Sequence, residues 1–137
     1  MKFEYLPHTA DIRMKIEGST MEELFIAATL GMGNILKEDF CNRKNPIECT
    51  SKIEIEALDQ TCLLIDFLSV ILSLSNAEKS IYCKVDFLEL TANKVRAIIH
   101  GTRIDGFDEE IKAVTYHEAN VRKNQRNQWE TVIIFDI

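Results

Sequence analysis

The sequence predicts an α+β fold in which mostly antiparallel β-sheets are layered with two α-helices. Three observations support this class. Several segments alternate apolar and polar residues with a period of two, two segments carry apolar residues at helical spacing, and turn residues separate the later strands. In chain order the segments read β-β-α-β-α-β-β-β-β. This order suggests mainly antiparallel layering, with the more apolar helix between the sheets.

The first strands lie on either side of a break at Pro7–His8. Downstream of it, residues 12–17 alternate apolar and charged side chains, as in a strand with one exposed face, and Asp11 falls on the polar face at the start of that strand. Thr20 and Glu23 then form a capping box, which predicts the beginning of the first helix.

A second strand and helix follow a polar loop. Residues 47–57 alternate strictly, which predicts a strand with one face in water. Asp59 or Thr61 can cap the next helix, whose apolar residues leave almost no polar side, so we expect it to be covered on most sides. The longest apolar stretch, 62–74, is interrupted by Asp66 and is too short to span a bilayer.

The rest of the chain is strand-like. Four strands are predicted, at 81–90, 94–101, 111–122 and 128–137. The alternation slips between Phe87 and Leu88, which predicts a β-bulge. The acidic run 105–110 lacks the ligand spacing of a calcium loop, so we interpret it as a charged turn.

Composition favours one domain covering residues 1–137. The chain is 46% hydrophobic, which provides enough apolar side chains for a stable core. Its four cysteines show no paired metal-ligand spacing and no signal peptide precedes them, so we expect reduced thiols in a soluble cytoplasmic protein. The net charge of −6 disfavours direct nucleic-acid binding, which usually requires a basic surface.

The residues Phe135-Asp136-Ile137 bring an acidic side chain beside the terminal carboxylate at the end of an apolar strand. Two anions held so close repel each other unless they face water or share a cation. Asp11 offers a third oxygen donor, and together these oxygens predict a small site for a hard cation such as Ca²⁺ or Mg²⁺. The alternative for Asp136 is a solvated terminal residue.

Patterns that would indicate catalysis are mostly missing from the sequence. There is no glycine-rich phosphate loop of the P-loop type. His8, His100 and His117 lie far apart, and none pairs with another at zinc-ligand spacing, so a structural role is the alternative for each. His8 is the strongest functional candidate, because it precedes Asp11 at the same junction and could support an oxyanion there.

Four motifs stand out along the chain. They are Glu4-Tyr5-Leu6-Pro7-His8-Thr9-Ala10-Asp11-Ile12, Thr20-Met21-Glu22-Glu23-Leu24-Phe25, Glu110-Ile111-Lys112-Ala113-Val114-Thr115-Tyr116-His117 and Phe135-Asp136-Ile137. Together they resemble the archease family. Each motif alone is weak. Their order and distances along a chain of this length make coincidence improbable.

This resemblance implies an activator, not an enzyme. Its partner would be the tRNA-splicing RNA ligase, which joins a 3′-phosphate or 2′,3′-cyclic phosphate end to a 5′-hydroxyl end. Archeases promote guanylylation of the ligase's active-site histidine by GTP and allow multiple turnover. The resemblance also implies a divalent cation, Ca²⁺ with Mg²⁺ or Mn²⁺ as alternatives, bound through Asp11, Asp136 and Ile137. Three further residues are candidates for support or partner contact: His8, Lys112 and His117.

Two other classes of function stay open. A metal-dependent phosphoester hydrolase would turn over without a protein partner, but such enzymes usually need more ligands than Asp11 and Asp136 supply. A chaperone-like binding module would bind its partner without the cation. The short loop 105–108 and the segment Gly101-Thr102-Arg103 depart from the family pattern, so no partner contact is assigned to them. Neither a membrane nor a nucleic acid is expected as a direct partner.

Overall fold

A computed structural model of the protein describes residues 1–6 and 11–137. The strands are β1 (Lys2–Leu6), β2 (Ile12–Gly18), β3 (Cys49–Glu56), β4 (Ser80–Leu90), β5 (Lys94–Arg103), β6 (Ala113–Thr115), β7 (Arg122–Lys123) and β8 (Trp129–Asp136). The helices are α1 (Met21–Leu36) and α2 (Gln60–Glu78), and a short 3-10 turn occupies Phe40–Asn42.

The strands form two antiparallel sheets. The five-stranded sheet has the order β1-β2-β8-β6, with β7 also paired to β8, and the three-stranded sheet has the order β3-β5-β4. Both helices pack against strands of both sheets, so the apolar core lies between the sheets. The predicted α+β class is therefore confirmed, as is the position of the apolar helix between the sheets.

Side-chain caps fix where the helices begin. The Thr20 hydroxyl accepts a hydrogen bond from the Glu23 N–H at 3.1 Å, as the capping box predicted. At the second helix, Asp59 is the cap, since its carboxylate accepts from the Cys62 N–H at 2.8 Å and this bond lowers the pKa of Asp59. Thr61, the other predicted cap, lies inside the helix.

The core between the layers is rich in aromatic side chains. The rings of Phe25, Phe67 and Phe87 pack together, with centroids 5.3–6.2 Å apart. In the three-stranded sheet, the ring of Tyr82 crosses Gly101, where an added Cβ would lie only 2.8 Å from the ring. Glycine is thus required at that strand position by close approach of a neighbour.

Helix α2 is long and apolar enough, by length and composition alone, to cross a membrane. Core helices of soluble proteins share these properties, and the side chains from Leu63 to Leu72 that face inward are buried between the sheets. Its apolar character is therefore explained by its position in the core.

The predicted single strand at 111–122 is wrong. Only β6 and β7 belong to the sheet, so five strands follow α2 instead of four. Glu118 adopts a φ of 62° in the connection between them, a left-handed conformation that interrupts a strand. By contrast, the predicted bulge is confirmed by a shift in the β4–β5 register between Phe87 and Glu89.

The prediction of four reduced cysteines is also wrong for two of them. Cys41 and Cys83 form a disulfide that links the 3-10 turn after α1 to β4, whereas Cys49 and Cys62 are free thiols. The bonded residues are 42 positions apart, so local sequence patterns could not reveal their contact.

Candidate functional site

Three chain segments meet at one end of the five-stranded sheet. Ile12 pairs with Phe135 in the antiparallel β2–β8 register, and continuing that register by one residue sets Asp11 across from Asp136. On the other side of β8, Ala113 pairs with Asp136, and the Lys112 N–H donates to the Asp136 carbonyl at 2.7 Å. We call Asp11, Asp136 and Ile137 the acidic sheet end.

The pleat of the sheet determines which face these side chains share. Phe135 is fully buried in the core, so the next side chain, Asp136, projects to the outer face and is exposed. Asp11 follows the same alternation relative to Ile12, and it is half-buried. The two carboxylates therefore lie on one face at neighbouring strand positions, where like charges repel unless a cation or water intervenes.

Arg13 lies on that outer face, two residues after Asp11. Its guanidinium makes a two-pronged ion pair with Glu118, with Nε–Oε2 at 3.2 Å and Nη2–Oε1 at 3.0 Å. The Arg13 side chain is only 22% exposed, so this pair is shielded more than an ordinary surface pair. It fixes the β6–β7 connection against β2.

The β6–β7 connection is held at further points. The Tyr116 hydroxyl donates to the Asp66 carboxylate on α2, and this bond raises the pKa of Tyr116 to about 12. The Val121 N–H donates to the Thr61 hydroxyl at 3.0 Å, which gives that threonine a role other than capping. His117 lies exposed in the turn between these attachments.

A cleft of about 490 Å³ opens beside Asp11. It is lined by Tyr5, Leu6, Asp11, Ile12, Asn34, Ile35, Glu38, Asp108 and Glu109. Burial, together with the nearby charge of Glu38, raises the pKa of Tyr5, while the hydrogen bond from Asn34 opposes that rise. Acidic residues therefore line this cleft from Asp11 to the end of α1.

Asp108 ties the acidic loop to the end of α1. Its carboxylate accepts from the Glu38 N–H at 3.0 Å, and its own N–H donates to the Leu36 carbonyl at 2.8 Å. Lys37 also donates to the Gly106 carbonyl at 3.1 Å. These contacts explain the acidic run structurally, as a turn that satisfies backbone groups at a helix end.

The donor set at the acidic sheet end fits a hard cation. Within residues 1–6 and 11–137, no three His, Cys, Asp or Glu side chains are close enough to hold a metal ion. A cation would therefore depend on the carboxylates of Asp11 and Asp136, a main-chain oxygen of Ile137, and water. All of these are oxygen donors, which Ca²⁺ and Mg²⁺ prefer.

The predicted site residues have different positions in the structure. Asp11, Asp136, Ile137 and Lys112 come together at one sheet end, whereas His117 is exposed in the β6–β7 connection. His8 lies outside the described residues.

Three contributors to this region were not predicted from the sequence. In the sequence pattern, Arg13 is one of the charged residues of a strand, Asp66 interrupts an apolar helix, and Glu118 falls within a predicted strand. A polar residue within a highly apolar helix was the one local signal, since such residues usually have a specific partner.

Comparisons with known proteins agree along nearly the whole chain. The Archease protein family matches residues 3–137. Protein archease of Methanosarcina mazei is 31% identical, over 99% of this chain and 96% of its own length. The solution structure of a Methanobacterium thermoautotrophicum protein has a TM-score of 0.75 and 26% identity, covering 98% of each chain. The crystal structure of a Thermotoga maritima archease, described as a possible chaperone, has a TM-score of 0.63 and 22% identity, covering 96% of this chain and 94% of that one.

Proposed function

Since this chain belongs to the archease family, we propose that it activates the tRNA-splicing RNA ligase and does not itself catalyse a reaction. In this proposal it promotes guanylylation of the ligase's active-site histidine and supports multiple turnover in the cytoplasm. The observation that supports it best is the β2–β8 register, which leads to Asp11 and Asp136 at one end of the five-stranded sheet, where the Lys112 N–H bonds the Asp136 carbonyl.

The acidic sheet end would act on the ligase through a divalent cation, Ca²⁺ or, alternatively, Mg²⁺ or Mn²⁺. Such a cation supplies positive charge that can bind a triphosphate or an anionic group of the partner. Asp11 and Asp136 would hold it, and the backbone bond from Lys112 to Asp136 would keep the strand end in position. The net charge of −6 is compatible with a protein that leaves RNA binding to its partner.

A guanylylation assay tests this proposal. Ligase from the same source is incubated with radiolabelled GTP, with and without this protein. We expect stimulation by the wild type, and a decrease of roughly tenfold or more for Asp11→Ala or Asp136→Ala, since even residues that only support metal ligands cost about 10–100-fold when removed. Glu56→Ala is the control, because this side chain is 79% exposed on the other sheet.

The second candidate function is a chaperone-like binding module that needs no cation. This candidate is suggested by the description of the Thermotoga maritima protein as a possible chaperone. Full stimulation by Asp11→Ala and Asp136→Ala, insensitive to chelators, would support this module and contradict the cation-dependent activator. No stimulation by any form would contradict ligase activation itself.

A further inference from the structure

The ion pair between Arg13 and Glu118 lies beside the acidic sheet end, and its charges bear on what that end can bind. We propose that Glu118 is a positioning residue: it holds the Arg13 guanidinium away from Asp11 and Asp136 and so preserves the affinity of these carboxylates for a divalent cation. This inference rests on the proposed cation site, and it concerns a pair of residues outside that site's donors.

The strand register supports the first step of the argument. Asp11 directly precedes β2 and Arg13 lies two residues later, so the strand alternation directs both side chains to the same face. Arg13 pairs with Ile134 across the sheet, and Asp136 is two residues further along β8. The guanidinium therefore starts from a backbone position that neighbours both carboxylates, and an arginine side chain is long enough to reach either of them.

The contacts of Arg13 show where its charge is directed. Both Nε and Nη2 point to the carboxylate of Glu118, at 3.2 and 3.0 Å, and this geometry fixes the guanidinium plane. Within this ion pair the charge of Glu118 offsets that of Arg13, which reduces the positive potential that Arg13 produces at Asp11 and Asp136. A released guanidinium would instead bring a positive charge to the place where the cation binds.

The backbone conformation of Glu118 is unfavourable. The residue has a φ of 62°, a backbone conformation that costs free energy for a residue with a side chain. Neighbouring attachments maintain it, including the bonds from Tyr116 to Asp66 and from Asn120 to Thr131. The connection is thus built so that the Glu118 carboxylate meets Arg13.

Charge substitutions distinguish this role from a merely structural one. Glu118→Gln keeps the side-chain size and releases Arg13. We expect the Kd for Ca²⁺ to rise roughly tenfold, which is the effect of one positive charge about 7 Å from a divalent ion in a solvent-like dielectric. Arg13→Gln removes one positive charge and keeps the Glu118 carboxylate, so Ca²⁺ should bind more tightly than to the wild type. The double variant should bind within about twofold of the wild type, because the two charge changes cancel.

The measurement is calorimetric titration of the isolated full-length protein with Ca²⁺, with thermal unfolding to verify that each variant is folded. Opposite signs for the two single variants support the inference. Weaker binding by both, or no binding by the wild type, overturns it. Ligase stimulation is measured in parallel: opposite shifts in Ca²⁺ affinity without any stimulation would contradict the proposed activator function and leave this inference standing.

Discussion

Surface charge is arranged differently on the three-stranded sheet and at the acidic sheet end of the five-stranded sheet. On the outer face of the three-stranded sheet, acidic and basic side chains alternate across strands: Arg96 contacts Glu54 at 3.1 Å and Glu89 at 3.7 Å, and Lys94 lies 3.9 Å from both Glu56 and Glu89. At the acidic sheet end, continuing the β2–β8 register by one residue instead sets the carboxylates of Asp11 and Asp136 at neighbouring positions.

This difference indicates which surface contributes to stability and which is a candidate for binding. Opposite charges across strands stabilise a sheet modestly, and like charges in the same arrangement destabilise it. A protein selected only for stability would not bring Asp11 and Asp136 together. Such local costs are typical of functional sites, where binding a ligand compensates for them.

The largest expected effect is the loss of stability on removing the disulfide, because the two regions are cross-linked differently. The three-stranded sheet is joined to the α1–β3 connection by the Cys41–Cys83 disulfide, whereas hydrogen bonds and an ion pair hold the acidic sheet end. Because the bridge closes a loop of 42 positions, its removal in Cys41→Ser/Cys83→Ser should lower the free energy of unfolding by about 4 kcal/mol. Urea denaturation measures this change.

Thiol chemistry provides the control for the disulfide prediction. Cys62→Ser removes a free thiol and should leave the response to reductant unchanged. Reductant should lower the melting temperature of the wild type but not that of Cys41→Ser/Cys83→Ser. Four titratable thiols in the folded, untreated wild type would contradict the prediction.

A smaller effect, of opposite sign in the two regions, tests the charge comparison directly. Asp136→Asn removes one of two neighbouring like charges, so in the absence of divalent cations it should stabilise the fold by about 0.5 kcal/mol. Glu54→Gln removes an ion-paired charge and should destabilise it. Thermal unfolding in the presence of a chelator measures both, and destabilisation by Asp136→Asn would show that the comparison is wrong.

The smallest effect is a dependence on pH. The hydrogen bond from Arg96 is the main cause that lowers the pKa of Glu54 below its ordinary value of 4.5. A lowered pKa in the folded state means that this stabilisation is fully present above pH 4.5 and is lost as the pH falls through the folded-state pKa. The difference in melting temperature between wild type and Glu54→Gln should therefore be constant above pH 4.5 and shrink as the pH falls further below that value. A constant difference would argue against the ion pair.

Sequence patterns predicted those parts of the fold that depend on neighbours along the chain. The alternation of residues 47–57 predicted β3 with one exposed face, and Thr20 predicted the start of α1. The prediction of a single strand at 111–122 failed because alternation of polar and apolar residues shows only that these side chains are compatible with a strand. The bonds that remove Tyr116 and Val121 from the sheet are made to α2, far away in sequence.

Two residues of the candidate site, Asp136 and Asp11, could be proposed from the sequence because each stands out among its neighbours along the chain. Asp136 stood out because an acidic residue beside a chain end is chemically conspicuous, and Asp11 because it begins a strand with a polar face. No local pattern indicates that Glu118 faces Arg13, because an ion pair between distant residues leaves no periodicity along the chain.

The amino-acid sequence by itself determined the class of fold, the helix cap at Thr20 and the family, because these follow from residue patterns along the chain. Only the tertiary structure decided that the β2–β8 register runs out toward Asp11 and Asp136, that Cys41 bonds Cys83 and that Glu118 pairs with Arg13. The physical reason is that strand register and helix packing bring together residues far apart in sequence, and those contacts depend on the whole core.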